Sequence, residues 1–399
     1  VQQSFGLVTM RVVIFTDTYP PEINGVATSC FNLTRTLKEH GEEVLVVTTN
    51  IYGNELSKKG DVIRIPGIEL KWLYNYRLAY FYNKGAAKLI EDFKPDVFHI
   101  QADWGVGQFG SIMAARMKMP TVYTFHSDLE DYTYYVTHGH FDRAARGIIR
   151  GYVRYTAHRI DEFITPSSKT KEYMRSIGVD GYINVIPTGI DFGAFSDDLV
   201  DEKRLSEIRK EFQIDQDAYV LSLGRVAKEK SIDLCLKGYA KFLRNKPSKK
   251  TLFVIVGGGP ALEELKDLSK KLEIDDHVRF LGPVPPKNVP LYYHLGDLFV
   301  SASITETQGL TFMESMAAGV PLLARYDDSL LGTIHDMENG FFFIDENDFA
   351  SKVNYIMSLT KEKRASIIAK AKEGLGPYSL EKFYENIMEV YRRAIRKNW

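Results

Sequence analysis

The stretch of this chain that most constrains its fold is residues 297–325, DLFVSASITETQGLTFMESMAAGVPLLAR. The apolar run Leu298–Ala302 predicts a buried strand, and the pattern from Leu310 to about Ala318 predicts a helix. A second apolar run begins at Pro321, directly after a glycine stop signal. A strand, a polar loop, a helix and a further strand in this order are typical of a parallel α/β sheet.

Two carboxylates, Glu306 and Glu314, lie on either side of Gly309 within this unit. The N–H groups at a helix start lack partners and the helix dipole is positive there, so such an end accepts phosphate. A ligand held by amides and carboxylates together would carry anionic oxygens and many hydroxyl groups, as a nucleotide-sugar does. The structural alternative is an acidic residue that complements the dipole and a glycine that only makes a turn.

A second loop suited to phosphate lies at residues 224–231, GRVAKEKS, after the strand predicted at Tyr219–Leu223. Arg225 and Lys230 lie between this strand and the next helix, for which Ser231 is a suitable cap. Two cations beside a helix start complement a diphosphate, although solvent-exposed cations without a ligand are the commoner case. The presence of two phosphate-suited loops in one predicted sheet strengthens the hypothesis of a diphosphate-binding site.

Both halves of the chain alternate strands and helices, which indicates doubly wound α/β sheets. A length of 399 residues favours two domains. We expect a first domain at residues 1–188, a second at 189–377, and a final helix at 378–399. The carboxyl ends of the strands in both domains are expected to border a shared cleft.

The composition is that of a globular protein rather than a nucleic-acid-binding one, because the net charge is −1. Cys30 and Cys235 fall in apolar helical patterns and are expected to be core thiols in a reducing compartment. The D-x-D at residues 215–217 precedes a strand, so no metal site is expected there. Residues 1–9 lack a signal-peptide pattern, and we expect a cytosolic protein.

Two stretches suit a membrane surface. Residues 68–83 mix cations with many aromatic side chains, including Trp72 and Tyr76, which fits either an interface or an aromatic core helix. Residues 142–160 contain no acidic residue between Asp142 and Asp161 and carry four arginines within about 80° of one helical face. This arginine ridge consists of Arg143, Arg146, Arg150 and Arg154.

The arginine ridge has two interpretations. Cations near anionic headgroups contribute about 1 kcal/mol each to membrane binding. Alternatively, the ridge is a solvated helix face whose arginines pair with carboxylates elsewhere in the fold.

Two further residues follow predicted strands of the first half. Gly25 lies in a loop before a helix expected at Ser29, and this loop resembles a phosphate-approach loop without the full G-x-G-x-x-G pattern. His126 follows the strand predicted at Thr121–Phe125 and is placed to orient a sugar or acceptor hydroxyl, or to shift a proton. The alternatives are a turn glycine and a histidine hydrogen-bonded within a loop.

Taken together, these motifs resemble the retaining family 4 glycosyltransferases, which have the GT-B fold. The residues from Glu306 to Glu314 are similar to the family's E-x7-E motif, and residues 224–231 to its G-R-x-x-x-E-K element. Residues 186–191, IPTGID, resemble its interdomain signature, and residues 20–29, PPEINGVATS, its N-terminal glycine loop. Within the family, YTFHSDLEDYTYYV and ITETQGLTFMESMAAGVP resemble the bacterial 1,2-diacylglycerol 3-α-glucosyltransferases.

The resemblance implies that the domain at residues 1–188 binds the acceptor and faces the membrane, that the domain at 189–377 binds the nucleotide-sugar, and that the C-terminal helix crosses back and packs on the first domain. It also implies a role for each matching residue. Arg225 and Lys230 would neutralise the donor diphosphate, Glu314 would bind the ribose and Glu306 the hexose, while His126 would contact the sugar or the acceptor. The implied donor-binding residues are Gly25, Arg225, Lys230, Val284, Glu306, Gln308, Gly309, Leu310 and Glu314. The implied catalytic residues are His126, Arg225, Lys230 and Glu306. Ser231 departs from the family, since many relatives carry glycine there.

The implied reaction moves glucose from UDP-glucose to the 3-hydroxyl of 1,2-diacylglycerol with retention, without a metal or other cofactor. The enzyme would be peripheral on the inner face of the cell membrane. Other functions fit the same residues: a transferase with another nucleotide-sugar donor, or one with a soluble or phosphatidylinositol-type acceptor. A nucleotide-sugar isomerase on the same scaffold and a non-catalytic sugar-nucleotide binding module are further alternatives.

Overall fold

The structure is a computed structural model that describes residues 9–22, 24–70, 76–126, 142–303, 306–327 and 330–398. The chain forms two compact units, which we call unit 1 and unit 2. Unit 1 comprises Val1–Gly189 with Leu380–Trp399, and unit 2 comprises Ile190–Ser379. Within the described ranges, no helix is both long enough and apolar enough to cross a membrane.

Unit 1 is built on a mostly parallel sheet with helices on its faces. Its strands are β1 (Arg11–Phe15), β2 (Glu43–Thr49), β3 (Ser57–Lys59), β4 (Val62–Ile65), β5 (Gly67–Leu70), β6 (Tyr76–Ala79), β7 (Val97–Ile100), β8 (Thr121–Thr124), β9 (Glu162–Thr165) and β10 (Ile183–Val185). Its helices are α1 (Gly25–Glu39), α2 (Lys84–Phe93), α3 (Gly105–Met117), α4 (Asp142–Ala157), α5 (Ser168–Ser176) and the C-terminal helix (Leu380–Lys397).

The main sheet of unit 1 has the strand order β10-β9-β8-β7-β1-β2-β4-β3. Only β3 runs antiparallel to its neighbour, β4. The strand β1 pairs with both β2 and β7, so the winding direction reverses between β1 and β7. Sheets of this kind bind ligands at the carboxyl ends of the strands, at the point of reversal.

Unit 2 contains a second sheet, and all of its pairs are parallel. Its strands are β11 (Ala218–Leu223), β12 (Thr251–Val256), β13 (Val278–Gly282), β14 (Leu298–Ser301), β15 (Leu322–Arg325) and β16 (Phe341–Phe343). Its helices are α6 (Glu202–Glu211), α7 (Ile232–Arg244), α8 (Leu262–Lys271), α9 (Val289–Tyr293), α10 (Leu310–Ala317), α11 (Glu346–Met357) and α12 (Lys361–Glu373).

The strand order of unit 2, β13-β12-β11-β14-β15-β16, is that of a dinucleotide-binding sheet. Its winding direction reverses between β11 and β14. The strand–helix–strand unit predicted over residues 297–325 is confirmed, because β14, α10 and β15 follow one another there. The doubly wound architecture predicted for both halves is confirmed as well, since each unit carries its own parallel sheet between helices.

The start of α1 differs from the prediction. The helix begins at Gly25 rather than at Ser29. The side chain of Asn24 accepts a hydrogen bond from the backbone N–H of Ala27, which satisfies an otherwise unpaired donor of the first turn. Gly25 is therefore the first helical residue and not part of the preceding loop.

The aromatic stretch at residues 68–83 is not a core helix. Of its described residues, 68–70 and 76–79 belong to the antiparallel pair of β5 and β6, in which Gly67 lies opposite Ala79, and residues 80–83 form a loop before α2. A side chain at Gly67 would collide with the carbonyl oxygen of Leu78, so the close approach of these strands requires glycine. Trp72 lies outside the described residues, as does the side chain of Tyr76.

The C-terminal helix packs against the main body of unit 1, as predicted. Its Arg393 Nη2 lies 3.2 Å from Glu162 Oε2, and its Lys397 Nζ lies 2.9 Å from Glu162 Oε1. Burial raises the pKa of the Glu162 carboxyl, but Arg393, Asn184 and Lys397 together lower it below its usual value. This buried carboxylate therefore anchors the end of the chain.

The core of each unit also holds one of the two cysteines. Cys30 on α1 and Cys235 on α7 are free and buried, as expected. Burial raises the pKa of the Cys30 thiol to about 12, so the thiol is protonated at neutral pH.

Candidate active site

Two loops of unit 2 meet where its winding direction reverses. Residues 224–231 follow β11 and residues 302–309 follow β14, and these strands pair in parallel through Val220 with Leu298 and Leu221 with Phe299. Lys230 Nζ lies 2.5 Å from Glu306 Oε1, with both side chains mostly shielded from solvent. Two residues predicted separately to bind the donor are thus joined across the loops.

Arg225 lies in the first of these loops. Its Nη1 atom is 3.6 Å from Glu229 Oε1, and its side chain is partly exposed. Both predicted diphosphate-binding cations therefore have a carboxylate neighbour. Charge-assisted hydrogen bonds to phosphate are strong, so an incoming diphosphate would compete with these carboxylates for the cations.

A glycine loop after β12 holds the loop of Arg225 in place. A side chain at Gly257 would collide with the carbonyl oxygen of Gly224, and one at Gly259 with that of Val226. The backbone N–H of Val226 donates to the carbonyl oxygen of Gly258 at 2.9 Å. The two backbones approach this closely only because the loop after β12 has glycines, without side chains, at positions 257 and 259.

The cap predicted at Ser231 is wrong. Ser231 has φ +49° and ψ +37°, the left-handed conformation, and its side chain makes no capping hydrogen bond to the described residues. It joins the short 3₁₀ turn Lys228–Lys230 to α7, and this change of direction needs a positive φ. Glycine meets that requirement with the least strain.

The start of α10 is suited to an anion. Gly309 precedes the helix with φ +75°, and within the described residues no side chain caps it. A Cβ at Gly309 would lie 2.7 Å from the Phe312 ring, so a larger residue would not fit. The first N–H groups of α10, from Leu310 onward, therefore lack a side-chain cap beside the Lys230–Glu306 pair. Gln308, one of the implied donor-binding residues, lies in the same loop.

Glu314 lies one turn into α10 and has a partner that the sequence did not indicate. The hydroxyl of Tyr293, on α9, donates to Glu314 Oε2 at 2.7 Å. Burial raises the pKa of the Glu314 carboxyl, and the Tyr293 hydroxyl counteracts this rise. The sequence gives no indication of this hydrogen bond, because Tyr293 is 21 residues from Glu314 and belongs to no recognisable motif with it.

Val284 follows β13 and packs in the core of unit 2. With its side chain buried, only its backbone groups remain to contact a ligand. The D-x-D has a structural role, because Asp217 Oδ2 accepts from the backbone N–H of Lys250 at 3.0 Å. Among the residues that the structure describes, no three or more His, Cys, Asp or Glu side chains form a metal-binding group.

His126 lies at the carboxyl edge of the unit 1 sheet. Its Nε2 atom is 2.7 Å from Gln101 Oε1, and burial lowers the pKa of the imidazole to about 4. The ring is therefore neutral at pH 7, and with the carbonyl oxygen accepting from Nε2, its Nδ1 atom is an acceptor. Sequence reasoning missed Gln101, although its place directly after β7 was a usable signal.

The helix predicted for the arginine ridge is confirmed as α4. Arg150 and Arg154 are exposed, as are the apolar side chains of Ile148 and Tyr155, at 75% and 57%. Val153 faces inward and is buried. At 100° per residue, Arg150 and Arg154 lie on one side of the exposed surface of α4, and Ile148 and Tyr155 lie on the other. The side chains of Arg143 and Arg146 lie outside the described residues.

Comparison with known proteins gives matches over both units. Residues 205–374 match the family model described as glycosyl transferases group 1, and residues 23–193 match the one described as glycosyltransferase family 4. An alpha-monoglucosyldiacylglycerol synthase of Streptococcus pneumoniae is 33% identical over 390 residues, covering 98% of this chain and 87% of the relative. The synthase of the same name from Acholeplasma laidlawii is 32% identical over 396 residues, covering 98% of each protein.

Among solved structures, a sucrose-phosphate synthase from Thermosynechococcus elongatus has a TM-score of 0.75 to this chain. The match covers 97% of this chain and 100% of the other at 16% sequence identity. At that identity the likeness concerns the fold alone.

Proposed function

Because the chain belongs to the family 4 glycosyltransferases with the GT-B fold, we propose that it transfers glucose from UDP-glucose to the 3-hydroxyl of a 1,2-diacylglycerol with retention. The acceptor class follows the names of the two relatives that match nearly the whole chain. The observation that carries the donor class is the Lys230–Glu306 pair beside the uncapped start of α10. Cations, amides and a carboxylate together suit a molecule with a diphosphate and many hydroxyl groups.

In the proposed step, the bond between the glucose anomeric carbon and the β-phosphate oxygen breaks. A bond from the same carbon to the acceptor's 3-oxygen forms on the same face of the sugar, and the hydroxyl proton passes to the departing phosphate, which leaves as UDP. The largest demand is stabilisation of the negative charge that develops on the diphosphate. Arg225, Lys230 and the N–H groups at the start of α10 are assigned this role, without a metal ion.

The carboxylates hold the rest of the donor in this proposal. Glu306 binds hydroxyl groups of the hexose once the diphosphate has taken over Lys230, and Glu314, oriented by Tyr293, binds the ribose. The roles predicted for Gly25, Val284 and His126 stay predictions.

We also propose that the protein is peripheral on the inner face of the cell membrane. The exposed outer side of α4 supports this, since Arg150 and Arg154 lie on the same helix as exposed Ile148 and Tyr155. Apolar groups that enter the headgroup region and cations that meet anionic lipids are the features of interfacial helices.

The decisive assay offers UDP-glucose, UDP-galactose and GDP-mannose separately to the enzyme with diacylglycerol in vesicles that contain anionic phospholipid. We expect an α-linked glucosyldiacylglycerol from UDP-glucose, identified by mass and anomeric configuration, and the same rate with EDTA present. A product formed only with a soluble acceptor, or a changed nucleotide-sugar without any acceptor, would contradict the proposal and indicate another transferase or an isomerase.

The membrane part is tested by changing Arg146, Arg150 and Arg154 to glutamate together. We expect sedimentation with anionic vesicles to be largely lost, because each reversed cation removes about 1 kcal/mol of attraction and adds repulsion. The control changes the exposed Lys58, Lys59 and Lys88 to glutamate, with the same change in net charge. Equal loss in both variants would show that net charge, rather than α4, determines binding.

A further inference from the structure

Unit 1 has a cavity of about 250 Å³ lined by Phe81, Trp104, Gln108, Ile112 and Tyr152. Three of these side chains are large, apolar and roughly half exposed: Phe81 at 52%, Trp104 at 46% and Ile112 at 43%. Clustered exposed apolar groups that border a cavity are typical of a surface that another molecule covers. The site described in unit 2 does not account for them.

The cavity lies at the place where a doubly wound sheet binds its ligand. Trp104 belongs to the loop that directly follows β7, and β7 pairs with β1 where the winding direction of unit 1 reverses. The loop after β1 also contributes, because Asp17 Oδ1 accepts from the backbone N–H of Val106 at 3.0 Å. Asp17 thus fixes the start of α3, which carries Gln108 and Ile112.

The wall of the cavity is held rigidly from several elements. The rings of Trp104 and Tyr152 stack with centroids 6.0 Å apart and 7° between their planes. The Tyr152 hydroxyl donates to the carbonyl oxygen of Asp103 at 2.6 Å, and Gln108 Nε2 donates to the same oxygen at 3.3 Å. The lining is therefore organised before any ligand arrives.

The chemistry of the lining selects a neutral and partly aliphatic ligand. None of the five lining side chains is charged, so a phosphorylated group placed here would lose its hydration without a partner. The polar groups of the lining are the Gln108 amide and the Tyr152 hydroxyl. Their N–H and O–H donors are used in the bonds to Asp103 and in the bond from Gln108 Nε2 to the Tyr152 hydroxyl, so Gln108 Oε1 is the group suited to accept from a ligand hydroxyl. One free hydroxyl on a largely aliphatic molecule is what a diacylglycerol presents.

The cavity continues into the exposed side of α4. Ile148, Tyr152 and Tyr155 are spaced i, i+4 and i+7, so they form one stripe along this helix. Tyr152 lines the cavity, while Ile148 and Tyr155 are exposed beyond it. An apolar path therefore leads from the cavity along α4. At 100° per residue, this stripe lies on the opposite side of the helix from Arg150 and Arg154.

We propose that this cavity binds the glycerol hydroxyl and the first methylene groups of the diacylglycerol acceptor, drawn out of the bilayer along the stripe of α4. The inference rests on the proposed function and adds to it the residues that recognise the acceptor. Trp104 and Ile112 contact the chain, and Gln108 Oε1 accepts a hydrogen bond from the glycerol hydroxyl.

The test compares Ile112→Asp and Trp104→Ala with Trp104→Phe, which keeps an aromatic wall. Ile344→Asp is the matched control, because Ile344 is also an exposed isoleucine, at 69%, but lies in unit 2. Acceptor KM and kcat are measured in detergent micelles with dioleoylglycerol and with dihexanoylglycerol. Hydrolysis of UDP-glucose without acceptor and sedimentation with anionic vesicles are measured in parallel.

We expect Ile112→Asp and Trp104→Ala to raise the KM for dioleoylglycerol roughly tenfold or more, the usual effect of spoiling an apolar pocket. The KM for the short-chain acceptor should rise less, and UDP-glucose hydrolysis and vesicle binding should not change. Trp104→Phe should restore most of the affinity, and Ile344→Asp should resemble the wild type.

Three results would overturn the inference. An acceptor KM within twofold of the wild type would mean that the cavity does not contact the acceptor. A loss that parallels weaker vesicle binding would assign these side chains to the membrane surface alone. A wild-type enzyme that glycosylates no diacylglycerol would overturn the proposed function first, and this inference with it.

Discussion

The places where the two sheets reverse their winding direction have the same topology and opposite chemistry. In unit 2 the loops there carry Arg225, Lys230 and Glu306 and depend on glycines for close backbone contacts. In unit 1 the corresponding loops border an uncharged aromatic cavity, and the His126 imidazole after β8 stays neutral. The topology thus decides where a ligand binds, and the side chains decide which class of ligand it is.

The largest expected effect is in unit 2. Lys230→Ala should lower kcat by roughly 10²–10³-fold, because removal of one group that stabilises developing charge usually has this effect. Lys228→Ala is the control, since Lys228 lies in the same turn but is exposed and 3.7 Å from Glu264. Steady-state kinetics with saturating donor and acceptor give the comparison. Equal losses of kcat in the two variants would mean that catalysis depends on the positive charge of the turn and not on the position of Lys230.

An intermediate effect is expected in unit 1. Burial raises the pKa of the Asp103 carboxyl from 3.8 to about 7, and Asp17 adds to this rise, while a hydrogen bond from Tyr123 opposes it. The folded protein therefore keeps a proton that the unfolded chain loses as pH rises from about 4 to about 7, so stability falls over that range.

Asp103→Asn keeps an acceptor for Tyr123 and has no titrating group. Its Tm should exceed that of the wild type by a few degrees at pH 8 and by clearly less at pH 5. Thermal unfolding followed by circular dichroism at both pH values measures the difference. An equal Tm difference between Asp103→Asn and the wild type at pH 5 and pH 8 would contradict the raised pKa of Asp103. It would also weaken the contrast drawn between the unit 1 and unit 2 sites.

The smallest effect concerns the backbone of unit 2. Ser231→Gly should raise Tm by about 1–3 °C, because the left-handed conformation costs a non-glycine residue about 1–2 kcal/mol, and the greater freedom of unfolded glycine offsets part of this gain. Ser358→Gly is the control, since Ser358 ends α11 at φ −91°, where glycine brings no relief. A lower Tm for Ser231→Gly would mean that the serine side chain has a structural role.

Sequence reasoning succeeded where the signal was local. The apolar runs around residues 297–325 predicted β14, α10 and β15, and the 3.6-residue spacing of residues 142–160 predicted α4. It failed at α1, β5 and β6, and at Ser231. There, one side-chain cap, one close approach of two backbones and one left-handed residue decided the outcome, and none of these has a unique sequence pattern.

By itself, the sequence determined that the chain forms two alternating α/β halves and that carboxylates and cations follow particular strands, because hydrophobic period and turn residues act over short distances. Only the tertiary structure decided which of these groups meet. Lys230 and Glu306 are 76 residues apart and come together because β11 and β14 are neighbours in the sheet. Strand order depends on how whole helices and strands pack. The hydrophobic effect that drives this packing is non-directional, so the apolar pattern of the sequence does not specify which strands become neighbours.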